Sequence, residues 1–302
     1  MTGGRVGVDG QVLSGGGRLV AYANFVKVAH TVFSLPFAFV GVAAASRVHP
    51  VTLRATLLVV AAFGTARFAA MGFNRIADRD LDRLNPRTSG RELPARRMSL
   101  AEAWVLVAAM SAAFVLAAAL LNPLCLALAP VALAWVTVYS YAKRFTALSH
   151  LWLGVGMAIA PVGGYLAVTG AWSTPWWAVL LLALVVTCWG GGFDVLYSLQ
   201  DEAFDREHGL RSITVAVGPV RAIGVARLLH AIAAVALVAF GLATGFGSPY
   251  FVGVALAIGL LVWEHRLVRP NDYSRLDAAF FSMNGIISAA VMAGAVLDVL
   301  LR

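Results

Sequence analysis

The sequence predicts an all-α polytopic membrane protein, nine transmembrane helices around a central cavity with caps on the cytoplasmic side. Of its 302 residues 60% are hydrophobic and only 13% charged, with mean hydropathy +0.82, far from the profile of a soluble domain. Apolar stretches of about 20 residues, long enough to cross a bilayer core, recur near 28–46, 52–73, 100–121, 124–142, 150–168, 176–197, 219–243, 248–264 and 277–300. Basic residues crowd alternate loops between these stretches.

Taken in order, residues 1–18 are rich in glycine, without the apolar core and small-residue cleavage pattern of a signal peptide, and read as a disordered tail. Residues 19–302 read as one transmembrane domain, since every segment between spans is short. His30 lies in the first span, where a satisfied structural histidine is the safer reading. The third and fourth spans are separated only by Asn122-Pro123. Fused, they would reduce the count to eight, but proline after asparagine favours a hairpin. Gly154, Gly156, Gly163 and Gly164 in the fifth span point to close helix packing. Trp172, Trp176 and Trp177 fall at an outer boundary, where amphipathic rings collect. Cys125 and Cys188 lie inside spans and read as packing residues, too deep for a disulfide framework or a zinc site.

With the N-terminus in the cytoplasm, the loops after spans two, four, six and eight face inward, and they hold Arg75, Arg87, Arg91, Lys143, Arg144, Arg206, Arg211 and Arg266 among others. The outward loops keep only Arg47 and Arg54. This asymmetry suits a multi-pass protein of the cell membrane with its C-terminus outside. It also accounts for the net charge of +8 without nucleic acid, because no basic patch is interleaved with exposed aromatics.

Two acidic rows stand out at the inward ends of spans: Asn74-x-x-x-Asp78-x-x-x-Asp82, and Asp194-x-x-Tyr197-x-x-x-Asp201-x-x-x-Asp205. Carboxylates beside hydrocarbon are costly, so their repetition suggests use. In a helix a step of four residues turns about 400° and rises about 6 Å, which keeps each row on one slowly drifting stripe. Rows of hard oxygens suit Mg²⁺, which keeps several waters and takes further ligands from phosphate oxygens, and so they point to a diphosphate substrate. The bland reading of the first row is a solvated helix end whose acids pair with Arg75, Arg79 and Arg83, worth tenths of a kcal/mol per pair. It holds for Asp80, which points off the stripe. A second row on the same membrane side argues against it for the others. The rows end spans two and six, four helices apart, which suggests two related halves facing one site.

Arg67 lies on the face of Asn74 two turns deeper, where a diphosphate would give it an anionic partner; snorkelling toward headgroups is the alternative. Lys143, one turn past Tyr139, is a second candidate for anion binding. For Arg144, ordinary positive-inside charge is an equal reading. The loop Tyr139–Arg144 is placed to close the cytoplasmic mouth. Asp194 lies deeper than Asp201; it either bonds a neighbouring helix or takes a proton, and neither reading prevails.

The two rows, together with Asn85-Pro86-Arg87-Thr88, Arg91-Glu92-Leu93-Pro94, Tyr139-x-x-x-Lys143-Arg144-Phe145-Thr146 and His30-Thr31-Val32-Phe33-Ser34-Leu35-Pro36, resemble the UbiA superfamily of intramembrane aromatic prenyltransferases. The likeness is greatest to the 4-hydroxybenzoate polyprenyltransferase branch, which includes the enzymes of the futalosine route to menaquinone. Two departures are visible. Many members carry Asn-Asp where this chain has Asn74-Arg75, and Arg-Pro-Leu-Pro appears here as Arg91-Glu92-Leu93-Pro94. The resemblance implies transfer of a polyprenyl group from its diphosphate to the ring of an aromatic carboxylic acid, 1,4-dihydroxy-6-naphthoate or 4-hydroxybenzoate. It implies Asn74, Asp78, Asp82, Asp201 and Asp205 as ligands of Mg²⁺, and Arg67, Lys143 and Arg144 as partners of the diphosphate. Tyr139 and Tyr197 would shield an allylic cation through their ring faces, and Asp194 would accept the final proton.

Rival readings are a related transferase of phosphoribosyl or haem O type and, from another class, a cation or proton transporter using the intramembrane acids. A transporter needs polar residues in the outer halves of the spans. Those halves are nearly free of acids, Asp298 excepted.

Overall fold

Hydrocarbon offers a backbone no hydrogen-bond partners, and the chain answers with helices that satisfy themselves. A computed structural model describes residues 17–27, 31–268 and 283–302, and every regular element among them is helical. A short helix α1 (Arg18–Phe25) precedes α2 (Thr31–Ala45) and α3 (Leu53–Ala77). After the one-and-a-half-turn α4 (Arg79–Leu84) come α5 (Leu100–Leu121), α6 (Pro123–Val138), the single turn α7 (Ala142–Phe145), α8 (Ser149–Thr169) and α9 (Trp177–Tyr197). Two more short helices, α10 (Glu202–Glu207) and α11 (Ile213–Val217), lead into α12 (Pro219–Thr244), α13 (Ser248–Leu267) and α14 (Asn284–Leu300).

Each expected span meets one helix. Among the described residues seven are long and apolar enough to cross a bilayer, against the nine expected; α2 and α14 are apolar but shorter. They adjoin segments 28–30 and 269–282, outside the described residues, as are His30 and most of the expected N-terminal tail.

The Asn122-Pro123 hairpin forms. Asn122 takes extended backbone between α5 and α6, its side-chain oxygen accepts from the Cys125 N–H at 2.9 Å, and Pro123 starts the new helix. Its amide nitrogen donates to the Leu166 carbonyl at 2.9 Å, fastening the hairpin tip to α8.

Six helices close a ring, α2 against α8, α8 against α9, α9 against α12, then α13 and α14 back to α2. The remaining spans α3, α5 and α6 pack in sequence, with α3 touching α2 and both α3 and α6 touching α8. In a membrane such contacts rest on close fit more than on water exclusion, and small residues provide it. A Cβ on Gly154 would run into the Thr187 carbonyl of α9, and one on Gly164 into the Ala38 carbonyl of α2. Gly163 has open space around it, so of the glycines expected to pack, Gly154 and Gly164 do so most tightly. Cys188 is buried in the main core and Cys125 packs against it; both are free thiols.

Asp298, the acid that a transport pathway would have needed, is neutralised where it stands. Arg302 lies 2.9 Å away and Arg47 3.4 Å.

Candidate active site

Neither acidic row is one continuous helix, contrary to the stripe expected of them. The first breaks at Asp78, which ends α3 and begins α4 with φ −99° and ψ 5°. The second passes from α9 through a turn of 3₁₀ helix (Ser198–Asp201) to α10, and Asp201 takes φ −101° and ψ 1°. Tyr141, in the loop between them, has φ −102° and ψ −5°. All three occupy the sparsely allowed bridge region between helix and strand, and each stands at the start of a short helix that follows its span. The phase shift tucks Asp82, Asp201 and Asp205 inward, each under 10% exposed.

The turned-in acids meet cations from other elements. Asp82 accepts from Arg91 at 2.6 Å, Asp205 from Lys143 at 2.8 Å, and Asp201 from both Nη2 and Nε of Arg87 at 2.7 and 3.0 Å. Asp78 accepts from Asn74 at 3.0 Å and from Arg144 at 3.3 Å. Arg79, half-buried, pairs with the exposed Asp80, as expected for a solvated helix end. Arg75 does not join the row. It is buried and its Nε lies 3.4 Å from the Phe25 carbonyl, a contact between α3 and α1.

Three loops thus converge at one end of the bundle. Asn85 and Arg87, from the loop after the first row, reach Asp201 on the second, and Arg144 reaches back to Asp78. The Arg211 guanidinium donates to the Phe145 carbonyl at 2.9 Å, which closes the third side. Lys143 also lies within electrostatic reach of Asp201 and Asp194, and Tyr139 of Asp194 and Asp78. The Tyr197 hydroxyl oxygen accepts from Arg87 Nη1 at 3.1 Å, and the guanidinium carbon sits 5.4 Å from its ring centroid. Arg67 stands deeper in α3, its Nε buried and without a hydrogen-bond partner among the described residues.

Asp194 meets a residue that the sequence reading passed over. His150, at the head of α8 and 0% exposed, places Nδ1 2.6 Å from Asp194 Oδ2. The only sequence signal was a lone imidazole opening an apolar span at the membrane end of the acidic rows. In the sequence Arg87 and Arg91 stand as loop charge and as members of the family motifs, without an assigned partner.

Burial and the nearby Asp82 raise the Asp78 carboxyl to about 6, with Arg144 and Arg91 pulling the other way. Asp82 Oδ2 is buried with no hydrogen-bond partner among the described residues. Among the described residues no three carboxylates or imidazoles converge into a ready metal cage. Mg²⁺ does not require one, since it is held by one or two carboxylates with waters and phosphates completing its octahedron. A bare buried oxygen and a destabilised neighbouring carboxylate are the kind of donors such a cation satisfies.

A sequence model described as the UbiA prenyltransferase family matches residues 34–286. The chain belongs to this family. It is 31% identical over 251 residues to the 4-hydroxybenzoate octaprenyltransferase of Nitrosospira multiformis, across 82% of this chain and 85% of the relative. Among solved structures, the apo form of a UbiA homologue from Aeropyrum pernix K1 superposes with a TM-score of 0.81 at 38% identity, over 89% of this chain and 98% of its own. A UbiA homologue from Archaeoglobus fulgidus, solved with DMAPP and Mg²⁺ bound, shares the fold at a TM-score of 0.74 and 21% identity, over 93% of this chain and 100% of that one. The family's polytopic helical architecture is therefore that of this chain.

Proposed function

We propose that this chain catalyses Mg²⁺-dependent transfer of a polyprenyl group from polyprenyl diphosphate to the ring of an aromatic acid, with 4-hydroxybenzoate the leading acceptor. The observation that carries this reading is the meeting of two acidic rows at one end of the bundle, with Arg87 bridging from the loop of one to Asp201 of the other. Names of relatives such as the Nitrosospira enzyme support the acceptor, and ubiquinone formation is the matching context. 1,4-Dihydroxy-6-naphthoate, the acceptor on the way to menaquinone, is the competing acid.

Asn74, Asp78, Asp82, Asp201 and Asp205 would hold Mg²⁺, with the diphosphate between the rows. When bound, Mg²⁺ neutralises charge that develops on the departing diphosphate. Lys143 and Arg144, now on Asp205 and Asp78, are placed to share the diphosphate charge once those acids turn to the cation. Arg67, its buried Nε unpaired among the described residues, adds positive potential deeper in the span. These fixed charges favour the separated state of allylic cation and diphosphate. Tyr139 and Tyr197 offer ring faces to the cation, and Asp194 takes the proton displaced from the ring carbon. By the distribution of basic loops, the N-terminus and this site face the cytoplasm of a cell-membrane protein.

Purified enzyme in lipid, given Mg²⁺ and a polyprenyl diphosphate with 4-hydroxybenzoate and 1,4-dihydroxy-6-naphthoate side by side, tests the reading. C-prenylated 4-hydroxybenzoate as main product supports it. Flux of ions in proteoliposomes without transfer would sink it.

A further inference from the structure

Among the described residues Asp194 is the one acid of the site that bonds to an imidazole and not to an arginine or lysine. The two partners differ sharply in access. The Asp194 side chain keeps 21% exposure, while that of His150 keeps 1% and lies behind it. The fold takes trouble to bring them together. On α9, Gly190 faces Gly154 and Met157, and Gly191 faces Leu151 and the carbonyl of His150; a Cβ on Gly191 would press on the Leu151 side chain and touch the His150 carbonyl. The glycines let α8 lie against α9 at the level where His150 reaches Asp194.

The pattern of bonds also fixes where the hydrogen sits. Nε2 of His150 is buried with no partner among the described residues. Placing the hydrogen there would bury an unpaired N–H and turn the Nδ1 lone pair against a carboxylate oxygen. Placing it on Nδ1 leaves only a bare lone pair at Nε2 and donates to Oδ2, so the Nδ1–H form is the one this site stabilises. Oδ2 is then engaged, and Oδ1, which makes no hydrogen bond among the described residues, is the oxygen left for substrate.

We propose that His150 is a positioning residue that holds Asp194 by Oδ2 so that Oδ1 faces the acceptor ring, resting on the prenyl-transfer reading above. The carbon–oxygen bond of the allylic diphosphate breaks, with the electron pair leaving on the diphosphate. A carbon–carbon bond forms at the ring carbon ortho to the phenolic oxygen, and the hydrogen on that carbon leaves as a proton to Asp194 Oδ1. Restoring aromaticity consumes no oxidant or reductant, and Asp194 later loses the proton to water. Without His150 the carboxylate is free to rotate, and proton removal slows although both substrates still bind.

The test compares His150→Ala, His150→Leu and His150→Asn in the full chain in nanodiscs, with Mg²⁺, geranyl diphosphate and 4-hydroxybenzoate deuterated at the two carbons ortho to the hydroxyl. Asparagine is chosen because its amide nitrogen stands where Nδ1 does, while leucine of similar size has no donor. The expected result is a kcat about 10- to 100-fold lower for Ala and Leu with little change in either KM. A ring-deuterium isotope effect on kcat, larger than in the unmodified enzyme, accompanies it, and Asn restores much of the rate. Equal rates for Asn and Leu, or Ala and Leu with unchanged kcat and isotope effect, would overturn the proposal. If Ala does not fold, the Asn–Leu contrast still decides. Absence of product from the unmodified enzyme would instead overturn the prenyl-transfer reading, and the positioning role with it.

Discussion

Arg87 grips Asp201 with two parallel bonds, Nη2 to Oδ2 at 2.7 Å and Nε to Oδ1 at 3.0 Å, and so locks the loop of one acidic row onto the other. A planar fork makes this contact and a lysine cannot. Arg87→Lys is expected to lower the stability of the ligand-free protein by about 1–3 kcal/mol, a buried-pair loss discounted for the partial exposure of both groups. Thermal unfolding in detergent with and without Mg²⁺ would show it. An unchanged midpoint would mean that the loop is held by other contacts.

Asp78→Ala and Asp201→Ala should each abolish Mg²⁺-dependent transfer while leaving an inserted, monodisperse protein. Asp80, exposed and paired only with Arg79, provides the control, and its alanine variant should stay within about twofold of the parent. Near-normal turnover in either of the first two variants would remove that residue from the metal set.

The raised carboxyl of Asp78 makes cation binding sensitive to mild acid. With a value of about 6 in the ligand-free protein, this group is ionised at neutral pH and takes up a proton as pH falls through 6. A metal must displace that proton, so the apparent Mg²⁺ affinity should fall by up to about tenfold per pH unit below 6 and level off above 7. Titrations of Mg²⁺ against activity at pH 5.5 and 7.5 measure the slope. Asp78→Asn should flatten it along with weakening binding.

Arg67 presents a trade between stability and function. A buried guanidinium nitrogen with no partner among the described residues is a cost in the ligand-free state, and a flexible apolar side chain of similar length removes it. Arg67→Met is therefore expected to melt at or above the temperature of the parent while its KM for geranyl diphosphate rises about tenfold or more, the loss of one charge-assisted contact. A lower melting temperature with unchanged KM would mark Arg67 as a structural residue.

Much of this architecture is legible in sequence because it depends on neighbours along the chain. Span positions follow from apolar runs, and the Asn122-Pro123 turn follows from a cap and a proline that act on adjacent residues. The acidic rows were visible for the same reason, as a spacing of four. What the spacing concealed is the break at Asp78 and the 3₁₀ turn before Asp201, where the chain leaves ideal helical phase to face the other loops. Partners contributed by distant elements were equally hidden. Arg91 and Asp82 are nine residues apart and on no common helix, and His150 and Asp194 are 44 apart on different spans, so no periodicity joins them. Arg75 was read as a neighbour of the acids because it is adjacent in sequence, yet its side chain serves α1.

The two bonds of Asn122 have an effect far from where they are made. One caps α6 and the other fastens that cap to the Leu166 carbonyl of α8, so α6 can neither slide nor screw along its neighbour at that end. Tyr139 begins where α6 ends, 17 residues on, or about 25 Å at helical rise. The depth at which Tyr139 stands near Asp78 and Asp194, and Lys143 beside Asp205, is thereby measured off from the opposite face of the bilayer. The hairpin tip acts as the zero mark of a ruler whose other end is the site.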